Sequence, residues 1–216
     1  MTAATITYHQ ERAERTRAQI LRRAVDIASA EGLEGVSIGR LATELAMSKT
    51  GVFAHFGSKE DLQVAIVEMA GDVFVAEVVE PVQTSPRGIP LLSALLQSWL
   101  SYVERIVFRG GCFFAAASAE FDSRPGPVRD KIVELTKAWV VGLENEVKEA
   151  QRLNQLSRKA DPHQVVFELH AFVQEANWAF KLFDDKTSFA RARSAITRRI
   201  AAEQTGKPTD GRRTGE

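Results

Sequence analysis

Apolar residues recur at three- and four-residue intervals along most of the chain, and no segment shows the two-residue alternation typical of a half-buried strand. In residues 12–30 the apolar positions are Ile20, Ala24, Ile27 and Ala28, and Gly32 follows as a stop signal. This spacing predicts a first amphipathic helix. Further helices are predicted at residues 58–79, 91–108, 113–121, 128–155, 162–183 and 188–205, with a proline-rich loop at residues 81–90.

Two shorter helices separated by a tight turn are predicted within residues 37–56. Ser37 can cap the first helix and Ser48 the second. The second helix is too short and too polar to be core, although Val52 and Phe56 can anchor it inward. Its outward side chains are Lys49, Thr50, Phe53 and His55. This is the outline of a helix-turn-helix, whose second helix fits the major groove of DNA.

The next helix has its own start signal. Ser58 can serve as its N-cap, and Glu60 and Asp61 are placed favourably against the helix dipole. Lys59, at the start of the same helix, can meet a DNA phosphate.

Three segments stand out around these helices: Ile-Leu-Arg-Arg-Ala at 20–24, Leu-Ala-Thr-Glu-Leu-Ala-Met-Ser at 41–48 and Phe-Ala-His-Phe-Gly-Ser-Lys-Glu-Asp-Leu at 53–62. Together they resemble the DNA-binding domain of the tetracycline-repressor (TetR) family. Order and spacing agree with the family over residues 12–70. One departure is Phe53, where the family usually has a tyrosine whose hydroxyl meets a phosphate; phenylalanine cannot donate that bond.

The resemblance implies an all-α fold of about nine helices. A three-helix DNA-binding domain is expected at residues 10–70, a ligand-sensing and dimerisation domain at 71–205, and a disordered tail at 206–216. Residues up to about 9 are also expected to be disordered. The implied function is a ligand-responsive repressor that binds a palindromic double-stranded DNA operator as a homodimer. The expected DNA contacts are Ser37, Ser48, Lys49, Thr50, Phe53, His55 and Lys59.

The family resemblance also places the dimer interface on the last two helices. The apolar side of the first of these helices is the expected interface, together with two residues of the second. The residues in question are Val165, Val166, Leu169, Phe172, Val173, Ala176, Ile196 and Ile200.

Aromatic residues are abundant beyond the DNA-binding domain. Core packing explains any one of them, and a pocket for a small, largely apolar effector explains the set. The candidate pocket residues are Trp99, Tyr102, Phe113, Phe114, Phe121, Trp139, His170, Gln174, Asn177 and Trp178.

Charge changes this picture only locally. The formal net charge of the 216 residues is zero, so the chain lacks the overall basic balance of many nucleic-acid-binding proteins. The first helix nevertheless carries a basic excess. This cluster fits either phosphate contact or a solvated helix face, and its members are Arg12, Arg15, Arg17, Arg22 and Arg23.

Two other functional classes can be weighed. One is a helical scaffold with a vestigial helix-turn-helix, and the other is a metal-dependent helical enzyme. His163 and His170 are seven residues apart, without the closer pairing typical of helical metal ligands. We therefore expect no catalysis, no metal and no cofactor. The single cysteine, Cys112, fits a buried apolar position better than a redox-active thiol. No apolar run reaches membrane-spanning length, and a cytoplasmic location is expected.

Overall fold

The computed structural model describes residues 3–205, with side chains from residue 11 onward, and these residues form nine α-helices and no β-strand. This confirms the all-α prediction. The predicted disordered tail, residues 206–216, lies outside the described residues. The helices are α1 (Ala3–Glu31), α2 (Ile38–Glu44), α3 (Lys49–Phe56), α4 (Lys59–Phe74), α5 (Ile89–Glu104), α6 (Phe113–Phe121), α7 (Pro127–Arg152), α8 (Pro162–Phe183) and α9 (Thr187–Glu203).

Three helix boundaries differ from those predicted by four residues or more. Helix α1 begins at Ala3, so residues 3–9 are helical where disorder was expected. After α4 the chain continues as a π-helix, Val75–Val79, and a 3-10 turn, Glu80–Val82, instead of an unbroken α-helix. Helix α5 ends at Glu104, because Ile106 adopts a left-handed φ of 54° that an α-helix does not accept.

The chain forms two compact units, each made of two stretches of sequence. Unit 1 comprises Met1–Glu80 with Ser101–Ala138, and unit 2 comprises Pro81–Leu100 with Trp139–Glu216. In unit 1, α1 packs against α4 and α6, and its core includes Ile20, Ile27 and Ile66. In unit 2, α8 packs along α9.

The apolar side of α8 that was predicted for the dimer interface lies inside unit 2. Seven of the eight predicted residues are at most 5% exposed in the single chain, and only Phe172 is partly exposed. These seven residues belong to the core of the single chain, in which α8 packs along α9, so the predicted interface face is wrong. The large exposed apolar residues of α8 are elsewhere on the helix, and they are Phe167, Trp178, Leu182 and Phe183.

None of the helices within residues 3–205 is long and apolar enough to cross a membrane.

Candidate nucleic-acid interface

Serine side chains begin the three consecutive helices α2, α3 and α4, as predicted. The Ser37 hydroxyl accepts a hydrogen bond from the Arg40 N–H at 3.2 Å, and Ser48 accepts one from Gly51 at 3.0 Å. Ser58 accepts one from Asp61 N–H at 3.0 Å. Each cap satisfies a backbone donor that the helix itself leaves open, so the sequence fixes where each helix starts.

The turn between α2 and α3 is tight. Met47 N–H donates to the Ala42 carbonyl at 2.8 Å, and Ala46 adopts a left-handed φ of 51°. This conformation usually favours glycine, so Ala46 carries a backbone cost of about 1 kcal/mol. The turn brings α3 against α2.

Helix α3 has an anchored side and an exposed side. Val52 and Phe56 are buried, and the Arg17 guanidinium lies 5.1 Å from the centre of the Phe56 ring. The four side chains predicted to point outward lie outside this core: three are exposed and His55 is half-buried. The exposed ones are Lys49, Thr50 and Phe53. An eight-residue helix that displays such groups can enter a major groove.

Lys59 has a protein partner. Its Nζ lies 2.7 Å from Glu34 Oε2, and Gln63 Nε2 donates to the other Glu34 oxygen at 3.3 Å. The Lys59 hydrogen bond is the largest cause that lowers the pKa of Glu34, and the Gln63 bond adds to it. A DNA phosphate must therefore compete with Glu34 for Lys59, a pairing that the sequence prediction missed because the two residues are 25 positions apart.

Some arginines of the basic cluster on α1 form ion pairs, and others do not. Arg23 pairs with Asp26 at 2.9 Å and also with Glu44, and its hydrogen bond lowers the pKa of Glu44. Arg23 thus joins α1 to α2. By contrast, Arg12 and Arg22 are exposed and have no ion pair with any residue that the structure describes. These two remain suited to phosphate contact.

The ten candidate effector residues fall into both compact units. Tyr102, Phe113, Phe114 and Phe121 belong to unit 1, and the other six belong to unit 2. In unit 1 the Tyr102 ring lies 5.6 Å from that of Phe74, and the rings of Phe113 and Phe114 are 5.5 Å apart. Burial raises the pKa of Tyr102, so its hydroxyl stays protonated. That hydroxyl is buried and makes no well-formed hydrogen bond with any described residue.

In unit 2 the candidates have mixed environments. The Trp99 ring lies 5.5 Å from Trp139 and 5.0 Å from His170, and burial lowers the pKa of His170. Asn177 is buried, Gln174 is half-buried and Trp178 is exposed on α8. A cleft of about 160 Å³ in the same unit is lined by none of the ten candidates. Its lining residues are Ile89, Ser93, Gln97, Ile196, Thr197, Ile200, Ala201 and Gln204.

The histidines that could have suggested a metal site are engaged otherwise. His163 Nδ1 lies 2.7 Å from Glu144 Oε1, and His170 packs on Trp99. Among the described residues, no group of three or more histidine, cysteine, aspartate or glutamate side chains could hold a metal ion. Cys112 is buried, as expected of an apolar position.

Two family models match the chain. The one described as "Bacterial regulatory proteins, tetR family" matches residues 20–66, and "Tetracyclin repressor-like, C-terminal domain" matches residues 88–196. No curated protein matches the chain in sequence.

Solved structures show the same fold. A TetR transcriptional regulator from Chloroflexus aurantiacus is 18% identical, with a TM-score of 0.83 over 90% of this chain and 98% of the other. A TetR-family regulator from Cytophaga hutchinsonii is 20% identical, with a TM-score of 0.77 over 91% and 98%. The structure of AibR in complex with isovaleryl coenzyme A and operator DNA is 24% identical, with a TM-score of 0.67 over 87% and 98%.

The carboxy-terminal match alone spans half of the chain, and the amino-terminal match covers the capped helices described above. The resemblance identified from the sequence is thereby confirmed. The chain belongs to the tetracycline-repressor family of DNA-binding, non-enzymatic transcriptional regulators.

Proposed function

We propose that this regulator is a ligand-responsive repressor that binds a palindromic operator as a homodimer. The main support for the proposal is helix α3. Its Val52 and Phe56 are buried and anchor the helix, while Lys49, Thr50 and Phe53 are exposed. One such helix covers only a few base pairs, so recognition of a full operator needs two helices related by a two-fold axis. The role places the protein in the cytoplasm, where it has access to the DNA.

The proposed DNA contacts divide by chemistry. Lys49, Thr50 and His55 contact bases or their immediate neighbours: the first two are exposed on α3, and the half-buried His55 lies outside the Val52 and Phe56 anchor. Ser37, Ser48 and Lys59 contact the DNA backbone and position the protein on it, and Phe53 packs against the same backbone. In functional terms residues 10–70 bind DNA and residues 71–205 sense the ligand and dimerise, although compact unit 1 combines α1–α4 with α6.

The exposed side of α8 supports the homodimer. Phe167, Ala171, Trp178 and Leu182 follow one another at four- and seven-residue spacing, so they form one stripe along the helix. Phe167 is 71% exposed and Leu182 is 61% exposed. A stripe of large apolar side chains on a regulator is best explained by a protein partner, and a second copy of the chain supplies a self-complementary one.

Within the candidate effector residues, the unit 1 group is the better supported. The protonated, buried Tyr102 hydroxyl is a hydrogen-bond donor without a well-formed bond to a described residue, and aromatic rings surround it. An apolar molecule with one acceptor oxygen, such as an acyl compound, matches this environment. AibR, which binds isovaleryl coenzyme A in its complex, provides a precedent on the same fold.

The proposal is tested by selecting bound duplexes from a random DNA pool with the full chain. We expect an inverted repeat whose half-sites are centred about 10 base pairs, or a multiple of this, apart. Sedimentation at micromolar concentration should give a dimer. Selection of no sequence, or of unpaired half-sites by a monomer, would contradict the palindromic homodimer.

The effector part requires a separate measurement. Acyl compounds of graded chain length are titrated while the tryptophan fluorescence of the protein and its binding to the selected duplex are followed. A true effector and the duplex must weaken each other by the same factor, about 5- to 150-fold. A compound that binds without changing operator affinity is not the effector.

A further inference from the structure

One carboxylate of α6 binds the backbone that joins α1 to α2. Glu120 Oε2 accepts a hydrogen bond from the Leu33 N–H at 2.7 Å, and Oε1 accepts one from the Glu34 N–H at 2.8 Å. Both donors belong to the α1–α2 connection, which we define as residues 32–37. Hydrogen bonds to an ionised acceptor are about twice as strong as neutral ones, so this is a firm attachment.

The connection is shaped to receive the carboxylate. Gly32 has a left-handed φ of +85°, and a Cβ atom at this position would lie 2.9 Å from Glu120 Oε2. Successive N–H groups that follow such a residue form a concave anion-binding nest. Glycine is therefore needed at position 32 both for the backbone conformation and for the approach of Glu120.

The segment before α6 is held against α1 as well. Arg109 lies 3.0 Å from Asp26, measured from its terminal nitrogen to Oδ2. Gly110 approaches Ser29 so closely that a Cβ atom would lie 1.4 Å from the Ser29 carbonyl oxygen. Contacts with α1 and the connection thus occur at both ends of α6, all within unit 1.

We propose that Glu120 is a positioning residue for DNA reading. By holding the α1–α2 connection it fixes the start of α2, and α2 packs against α3. The arrangement that it fixes is the one that presents α3 to the operator. This role of Glu120 rests on the proposed operator binding and involves no effector, so it is independent of the proposed ligand response.

The test compares Glu120→Gln with the wild-type full chain. Glutamine keeps the size of the side chain but replaces one acceptor oxygen by an amide donor, which opposes a backbone N–H. We expect faster hydrogen exchange at Leu33 and Glu34, and operator affinity about three- to tenfold lower by fluorescence anisotropy. Affinity for a scrambled duplex should fall less than operator affinity, because Ser37, at the end of the connection, is only one of several phosphate contacts.

Asp122→Asn is the matched control. It removes the same charge two positions along the chain, where the Asp122 carboxylate accepts a hydrogen bond from the Ser123 hydroxyl at 2.7 Å and forms no hydrogen bond or ion pair with the described residues of the connection. This variant should keep wild-type operator affinity. If Glu120→Gln binds the operator as tightly as Asp122→Asn, or more tightly than wild type, the positioning role is refuted.

A second pair of variants separates positioning from a general loss of stability. Gly32→Ala pushes a methyl group into the carboxylate, and its effect on operator affinity should be smaller in the Glu120→Gln background than in wild type. Leu135→Ala, whose side chain packs on Gly71 in unit 1, should lower the melting temperature without this change in specificity. Strictly additive effects of the first two substitutions would overturn the inference.

Discussion

Helices α3 and α8 both present aromatic side chains to solvent, yet they suit different partners. Helix α3 has eight residues, and its exposed Phe53 stands among polar groups such as Lys49 and Thr50. Helix α8 has 22 residues, and its exposed Trp178 and Leu182 continue a longer apolar stripe. A single aromatic ring among hydrogen-bonding groups fits a hydrated, charged groove, whereas an apolar stripe is stable only when another apolar surface covers it.

The largest expected effect comes from charging the α8 stripe. In Trp178→Asp an ion replaces a large apolar side chain that is 51% exposed in the single chain. Burial of that ion in a dimer is unfavourable, so the protein should sediment as a monomer and lose at least about a hundredfold in operator affinity. Circular dichroism should show unchanged helix content, because the residue is not part of the chain's own core.

Leu153→Asp is the control for this change. Leu153 is also an exposed apolar residue of unit 2, at 40%, but it follows α7 instead of lying on the stripe. It should keep the dimer and the operator affinity. Equal behaviour of the two variants would remove the distinction between α8 and any other exposed apolar position.

The next effect concerns the reading side of α3. Lys49→Ala removes an exposed cation, and within residues 3–205 no carboxylate pairs with it. We expect a loss of about 1–3 kcal/mol in operator binding, together with relaxed preference at one base pair. Binding to duplexes with each substitution at the half-site measures both. A uniform loss across all duplexes would instead make Lys49 a phosphate contact.

Helices α3 and α8 also differ in how much of their structure could be predicted from the sequence. The caps of α2, α3 and α4 are contacts between a serine and a backbone N–H three residues later, so a local pattern contains them. The anchors Val52 and Phe56 follow from helical periodicity. The whole framework of the helix-turn-helix was therefore predictable.

The orientation of α8 could not be predicted from the sequence, because the helix is apolar on more than one side. Val165 and Val166 are core residues, while the adjacent Phe167 is exposed, and periodicity alone gives no preference between them. The same limit applies to the effector residues, since burial of an aromatic side chain does not say which unit it joins. Pairs distant in sequence, such as Lys59 with Glu34, leave no local pattern at all.

The pair of Lys59 and Glu34 predicts a third, smaller effect, this time on binding to the DNA backbone. Glu34→Gln removes the carboxylate that holds Lys59 and that also lies 3.6 Å from Arg124. Affinity for all duplexes should rise about five- to tenfold at low salt, and the slope of binding against salt should steepen by about one unit. Lys59→Ala in the same background should cancel the gain.

Glu60→Gln serves as the comparison, because it removes an exposed carboxylate next to Lys59 that forms no ion pair among the described residues. A similar gain from Glu60→Gln would mean that general repulsion of DNA, and not release of Lys59, explains the result. The pKa of Glu34 lies below its ordinary value. Glu34 is therefore ionised and paired with Lys59 at neutral pH, and the pairing is lost only when the pH falls through the lowered pKa. The effect of Glu34→Gln should therefore be constant between about pH 6 and 8.

The smallest expected effect tests the exposed aromatic of α3 itself. Phe53 is 51% exposed, so a tyrosine hydroxyl at this position would extend into solvent in the free protein. On DNA it can donate to a phosphate, and Phe53→Tyr should tighten binding by about 0.5–1 kcal/mol, or two- to fivefold, for operator and scrambled duplexes alike. Melting of the free protein should not change. The equivalent addition on α8, Phe167→Tyr, should leave DNA binding unaffected, because that stripe is proposed to contact a second copy of the chain and not DNA. Weaker operator binding by Phe53→Tyr would show that the ring packs against an apolar part of the DNA, such as a thymine methyl group, and would move Phe53 from backbone positioning to base reading.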